Sequence, residues 1–153
     1  MIVADTGAIV ALIDRNERNH RRLRALYDDN PGEWILPWAI LPEVDYLLAT
    51  HVSARAQQAF LEDIAEGDFP VDWGKDGALA DARAILARHR ALRMGLVDAI
   101  VIATAIRLKA RAIATLDLRH FAAIPIPGSP ALFPRDLPGA PPRHFTNPGH
   151  PGT

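Results

Sequence analysis

Cysteine is absent from the 153 residues, which excludes disulfides, thiolate nucleophiles and Cys-based zinc sites. Serine is scarce: Ser53 and Ser129 are the only two, and neither lies in a G-x-S-x-G setting. No Walker A or G-x-G-x-x-G pattern occurs, so nucleotide cofactors are unsupported. Charge of one sign is lacking too. Seventeen basic residues against eighteen acidic ones leave −1, which argues against a polybasic nucleic-acid coat but permits a local basic groove. No apolar run approaches the ~20 residues that span a bilayer. Asp5 interrupts the apolar N-terminus and no basic residue precedes it, so no signal peptide is expected. The expectation is a soluble cytoplasmic protein without a membrane partner. What is present is apolar content: 49% hydrophobic against 23% charged, enough for one domain with a real core.

Short apolar runs alternate with helical periodicity. Met1–Ala4 reads as a strand that Asp5 closes, and Gly7–Leu12 as the helix after it. A second helix is expected from His20 to about residue 29, before the Pro31-Gly32 turn. Trp34–Pro37 is the second strand. Pro42 suits the first turn of a helix whose apolar face is Val44, Leu47 and Leu48. Ser53 reads as the N-cap of a helix running to Glu66. Phe69–Trp73 is a third strand, at an edge because of Pro70. Leu79, Ala82, Ile85, Leu86 and His89 mark another helix, which ends before Gly95. Leu96–Lys109 follows, apolar all round from Ala99 to Ile106 except for Thr104, so it is expected to be buried. Arg111–Thr115 is the fourth strand, Arg119–Ala123 a short helical turn, and Ala131–Phe133 the last strand. The pattern implies a three-layer α/β/α domain over residues 1–137 with a mostly parallel sheet. Nine of the thirteen prolines lie from Pro125 onward, and residues 138–153 read as a proline-rich tail. No internal repeat is found.

Four acids fall at four junctions: Asp5 after the first strand, Glu43 at the start of a helix, Asp98 in the first turn of the buried helix, and Asp117 after the fourth strand. Ligands of open parallel sheets bind beyond the carboxyl ends of the strands, where strand order reverses. Taken singly, each acid is more often a helix cap. Together they are harder to explain that way. Asp98 heads a helix too apolar for the surface, so its charge needs compensation. Two carboxylates ~5 Å apart repel by ~3 kcal/mol at an effective dielectric of 20. No Arg or Lys adjoins Asp5 or Asp98 in sequence, so a divalent cation is the economical answer. All-oxygen ligation points to Mg²⁺, with Mn²⁺ possible, and such a site suits phosphodiester hydrolysis. Asp45 lies about 200° around the helix from Glu43 and is expected on its other face.

On these residues the chain resembles the PIN-domain nucleases, and most closely the VapC-type ribonuclease toxins of type II toxin–antitoxin systems. The matching segments are IVADTGAIVALID at 2–14, LPEVDYLL at 41–48, MGLVDAIVIATAIRL at 94–108 and IATLDLRHF at 113–121. The resemblance implies a metal-dependent endoribonuclease acting on RNA. It carries metal ligation and catalysis onto Asp5, Glu43, Asp98 and Asp117, with Thr6 and Thr115 in support. It also implies a homodimer and a cognate antitoxin. Some members have an acid where His120 stands. Two alternatives stay open: a non-catalytic PIN-like module that binds RNA or protein, and a metal-dependent DNA nuclease or phosphatase.

Other residues carry weaker signals. Asp5-Thr6-Gly7 is also the aspartic-protease triplet, but that reading needs an all-β chain and this one is predominantly helical. A phosphoacceptor receiver domain expects clustered acids after the first strand and a late lysine, whereas Asp5 stands alone and the only lysines are Lys75 and Lys109. Arginine supplies fifteen of the seventeen basic residues. Arg15–Arg24 and Arg83, Arg88, Arg90 and Arg93 are expected on solvated helix faces, with an RNA path as the functional alternative. Trp34, Trp38 and Trp73 are expected in the core, with base stacking as the alternative. His120 is expected on a helix surface, with orientation of a phosphate or water as the alternative. The six histidines show no zinc spacing.

Overall fold

The computed structural model describes residues 1–138. From 139 onward, the expected proline-rich tail lies outside the described residues. Five parallel strands form the sheet: β1 (Ile2–Ala4), β2 (Trp34–Pro37), β3 (Val71–Asp72), β4 (Ala112–Ala114) and β5 (Ala131–Phe133). Their spatial order is β3-β2-β1-β4-β5. The chain steps outward from β1 to β3, then returns to the other side of β1, so strand order reverses between β1 and β4. Every residue of β1 and β4 is fully buried, as expected for a parallel sheet covered on both faces. Most of these side chains are small or β-branched, which suits short strands packed between helices.

Among the described residues, seven α-helices cover the sheet in a three-layer α/β/α arrangement. They are α1 (Thr6–Ile13), α2 (His20–Asp29), α3 (Leu41–Leu47), α4 (Ala54–Glu66), α5 (Ala78–Arg88), α6 (Leu96–Arg107) and α7 (Leu118–Phe121). Helix α1 packs on α2 and α3, while α5 packs on α6, which lies against β1 and β2. The expected burial of α6 is observed: Ala99, Ile100, Val101, Ile102, Thr104 and Ala105 are all inside. Ser53 caps α4 as expected, its Oγ accepting the Ala56 N–H at 3.0 Å. A single π-helical turn, Leu48–Val52, carries the chain from α3 to that cap.

The third strand is shorter than the expected Phe69–Trp73. Phe69 turns into an aromatic cluster instead, with ring centroids 5.6 Å from Tyr27 and 6.0 Å from Phe60, while Tyr27 also meets Trp34 at 5.6 Å. That cluster ties α2, β2 and α4 together. The edge position of β3 agrees with Pro70, whose carbonyl still accepts the Leu36 N–H at 2.9 Å. Among the described residues, no helix is long and apolar enough to cross a membrane.

Candidate active site

The parallel register pairs Ala4 with Ala114, so Asp5 and Thr115 leave the sheet side by side at its carboxyl edge. The Asp5 N–H donates to the Ala114 carbonyl at 2.9 Å and extends the ladder by one residue. Asp5 is also the N-cap of α1. Its Oδ1 accepts the Thr6 N–H at 2.8 Å, and its Oδ2 accepts the Thr115 hydroxyl at 2.8 Å. The same Thr115 oxygen accepts the Asp117 N–H at 3.0 Å. A chain of three groups therefore holds the two acids across the point where strand order reverses. Asp117 in turn caps α7, its Oδ1 accepting the His120 N–H at 3.2 Å.

Asp98 comes from α6. It is the third residue of α6, and its Oδ2 accepts the Gly95 N–H at 3.2 Å, which fixes the carboxylate at the helix entrance. Glu43 sits in the first turn of α3. Asp5, Glu43, Asp98 and Asp117 all line one open pocket of about 690 Å³, with Thr6 and Leu96 among its other walls. Among the described residues lining it there is no arginine or lysine. Asp45 lies away from it and accepts from the Gln57 side chain of α4 at 2.8 Å, on the other face of α3 as helix geometry requires.

The electrostatics follow from this crowding. Burial is the largest influence on Asp5 and pushes its carboxyl from 3.8 up to about 6. The Thr115 and Thr6 hydrogen bonds pull it back, while the negative charges of Asp98 and Glu43 push it further up. Those two acids are thus close enough to be felt at Asp5. Capping and convergence are not rival explanations here, since Asp5, Asp98 and Asp117 each do both.

The PIN-domain family profile matches residues 2–126. Over 128 residues the chain is 31% identical to ribonuclease VapC26 of Mycobacterium tuberculosis, covering 83% of this chain and 95% of that protein. This chain is a PIN-domain protein of the VapC type. Solved structures share the fold. The crystal structure of M. tuberculosis VapC20, described as a sarcin–ricin loop cleaving toxin, superposes with a TM-score of 0.68 at 21% identity, covering 74% of this chain and 87% of that one. A toxin–antitoxin complex from Klebsiella pneumoniae gives 0.62 at 19% identity, covering 82% and 93%.

The donors of this PIN domain fit a hard divalent cation. Among the described residues, four carboxylates and no arginine or lysine line the pocket, and two buried polar groups beside it, the Thr6 hydroxyl and the His120 ring, have no hydrogen-bond partner. His120 corrects the sequence expectation, because it is buried rather than on a helix surface. Its Nδ1 lies 2.9 Å from Asp117 Oδ2 and 3.2 Å from Asp98 Oδ2. The signal was there to read: a histidine three residues after Asp117 on a helical turn faces the same way as that acid.

The tryptophans need a correction too. Trp34 is in the core, but Trp38 is 40% exposed and Trp73 71% exposed. Both stand just past the end of a strand, where the chain leaves the sheet and its helices no longer cover it. Gly74 has φ +84° and lies under the Trp38 indole; a Cβ there would come within 3.1 Å of Nε1. Of the arginine run, Arg15, Arg18, Arg21 and Arg24 are exposed, while Arg22 reaches the Pro134 carbonyl at 2.8 Å.

Proposed function

We propose that this protein is a divalent-metal-dependent endoribonuclease toxin that hydrolyses RNA phosphodiester bonds and is restrained by a cognate antitoxin. The observation that carries the reading is the convergence of four carboxylates, from four distant segments, on a pocket with no basic side chain in its described lining. Asp5, Glu43, Asp98 and Asp117 would hold the ion, Mg²⁺ or Mn²⁺. Bound there, a divalent ion supplies phosphoryl polarisation and a water of lowered pKa.

The protein's own part is positioning. The Thr115 hydroxyl and the Thr6 N–H hold the Asp5 carboxylate in one rotamer, and the Thr115 oxygen holds the backbone of Asp117. Gly95 orients Asp98. These fixed hydrogen bonds leave little to reorganise when substrate arrives. An electronegative pocket also rejects a phosphate chain unless a cation intervenes, so binding of substrate and of ion are coupled. The VapC26 and VapC20 names support ribonuclease action, and the toxin–antitoxin complex from K. pneumoniae supports an antitoxin partner. We assign the catalytic domain to residues 1–137, treat residues 138–153 as a tail outside it, and expect a cytoplasmic homodimer.

The test is a panel of RNA, single-stranded and duplex DNA, and a phosphomonoester. Purified protein is assayed with Mg²⁺ or Mn²⁺, with and without chelator. RNA should be cut only in the presence of ion. RNA resistance alongside rapid DNA cleavage would overturn the reading, as would cleavage that survives chelation.

A further inference from the structure

We infer that His120, together with Asp98 and Asp117, forms a mixed nitrogen–oxygen cation seat that favours a first-row transition dication over Mg²⁺. The inference rests on the metal-dependent reading above and deepens it by naming the class of ion. The three donors come from different places. Asp98 is on α6, while Asp117 and His120 bracket the first turn of α7. One ligand atom from each lies within 4.8 Å of the others.

The burial of His120 needs an explanation. Its ring is inside the protein, yet neither Nδ1 nor Nε2 has a hydrogen-bond partner among the described residues. Such orphans are uncommon, because a buried polar group without a partner costs stability. Two carboxylate oxygens stand at ion-pair distance from Nδ1, 2.9 Å and 3.2 Å away, yet neither contact is a hydrogen bond. Donors that share a small dication stand about 3 Å from each other, which is the spacing of both contacts.

The donors are also held in advance. Asp117 Oδ1 takes the His120 N–H and Asp98 Oδ2 takes the Gly95 N–H, so the backbone fixes both carboxylates. Mg²⁺ binds oxygen and gains little from an imidazole, whereas first-row transition dications accept one readily. The pair of acids supplies charge to either ion, and the ring supplies the discrimination.

Mn²⁺ is the probe, because it is paramagnetic and, as a first-row transition dication, accepts an imidazole nitrogen beside oxygen donors where Mg²⁺ gains little from one. Pulsed electron paramagnetic resonance on the full chain, loaded with one equivalent of Mn²⁺, should show the ¹⁴N coupling of a coordinated imidazole. Calorimetric titrations of wild type and His120→Asn with Mn²⁺ and with Mg²⁺ give the affinity ratio. The substitution should lower the Mn²⁺/Mg²⁺ ratio about tenfold and remove the ¹⁴N coupling. His120→Asp puts a hard oxygen donor in place of the ring and should tighten Mg²⁺ binding while removing the preference for Mn²⁺. Absence of ¹⁴N coupling in the wild type overturns the inference, and that measurement stands even if the variants fail to fold. An unchanged ratio in His120→Asn overturns it as well. Ion discrimination that depends on His120 in a protein that cuts no RNA would uphold the seat and refute the nuclease reading. RNA cleavage with no His120 effect on ion binding would do the reverse.

Discussion

Replacing Asp5 by Asn should stabilise the ion-free protein at neutral pH, although it removes a residue the proposed chemistry needs. The folded protein holds the Asp5 proton up to about 6, against 3.8 for an unperturbed carboxyl, mainly because the group is buried. The fold therefore binds more protons than the unfolded chain between those two values. The stability tied to this group is fully present below 3.8, declines as pH rises, and is lost once pH passes about 6. By linkage, an ionised Asp5 costs the fold about 3 kcal/mol at pH 7.5 and only about 1 kcal/mol at pH 4.5. Asn removes that cost. Its oxygen can still accept the Thr6 N–H, but its amide cannot accept the Thr115 hydroxyl, a loss of about 1 kcal/mol. The net gain is about 2 kcal/mol at pH 7.5, or roughly 4–8 °C in Tm for a chain of this size, and about zero at pH 4.5. Thermal unfolding of chelator-treated protein at the two pH values measures both. A variant less stable than wild type at pH 7.5, or a Tm difference identical at the two pH values, would refute the reasoning. Saturating Mn²⁺ should then reverse the order at pH 7.5, because the wild type gains binding energy that the variant forgoes.

Other substitutions separate the roles of neighbouring groups. Asp98→Asn keeps an oxygen for the Gly95 N–H, so it should change stability by less than about 1 kcal/mol while lowering RNA cleavage by at least about a hundredfold; wild-type-like cleavage in Mg²⁺ would remove Asp98 from the site. Thr115→Val leaves Asp5 Oδ2 and the Asp117 N–H without their partner, and denaturant unfolding should show a loss of about 1–3 kcal/mol. Since the Thr115 hydroxyl holds the Asp5 carboxyl down, the same variant should also move the pH of Mn²⁺ uptake upward, and a downward move would contradict the geometry. Trp34→Ala should cost about 3–5 kcal/mol, whereas Trp73→Ala should fall within about 0.5 kcal/mol of wild type. Equal losses at the two positions would mean that the edge of the sheet is covered in solution.

The order of elements, the burial of α6 and the convergence of Asp5, Glu43, Asp98 and Asp117 were all legible in the chain. These features rest on local rules. An apolar run closed by an acid, a proline in a first turn and a helix apolar on every side act over a few residues, and parallel strands then bring their carboxyl ends to one edge. Tertiary structure alone decided the rest. It set the strand order that puts the reversal between β1 and β4, and it drew Phe69 out of a strand into the Tyr27 cluster. It also left Trp38 and Trp73 outside while bringing His120 in. Burial of a single residue depends on what crosses over it from distant parts of the chain, and the residue type does not carry that information. For His120 the covering groups include Asp98, twenty-two positions earlier, whose approach is set by the way α6 packs on the sheet.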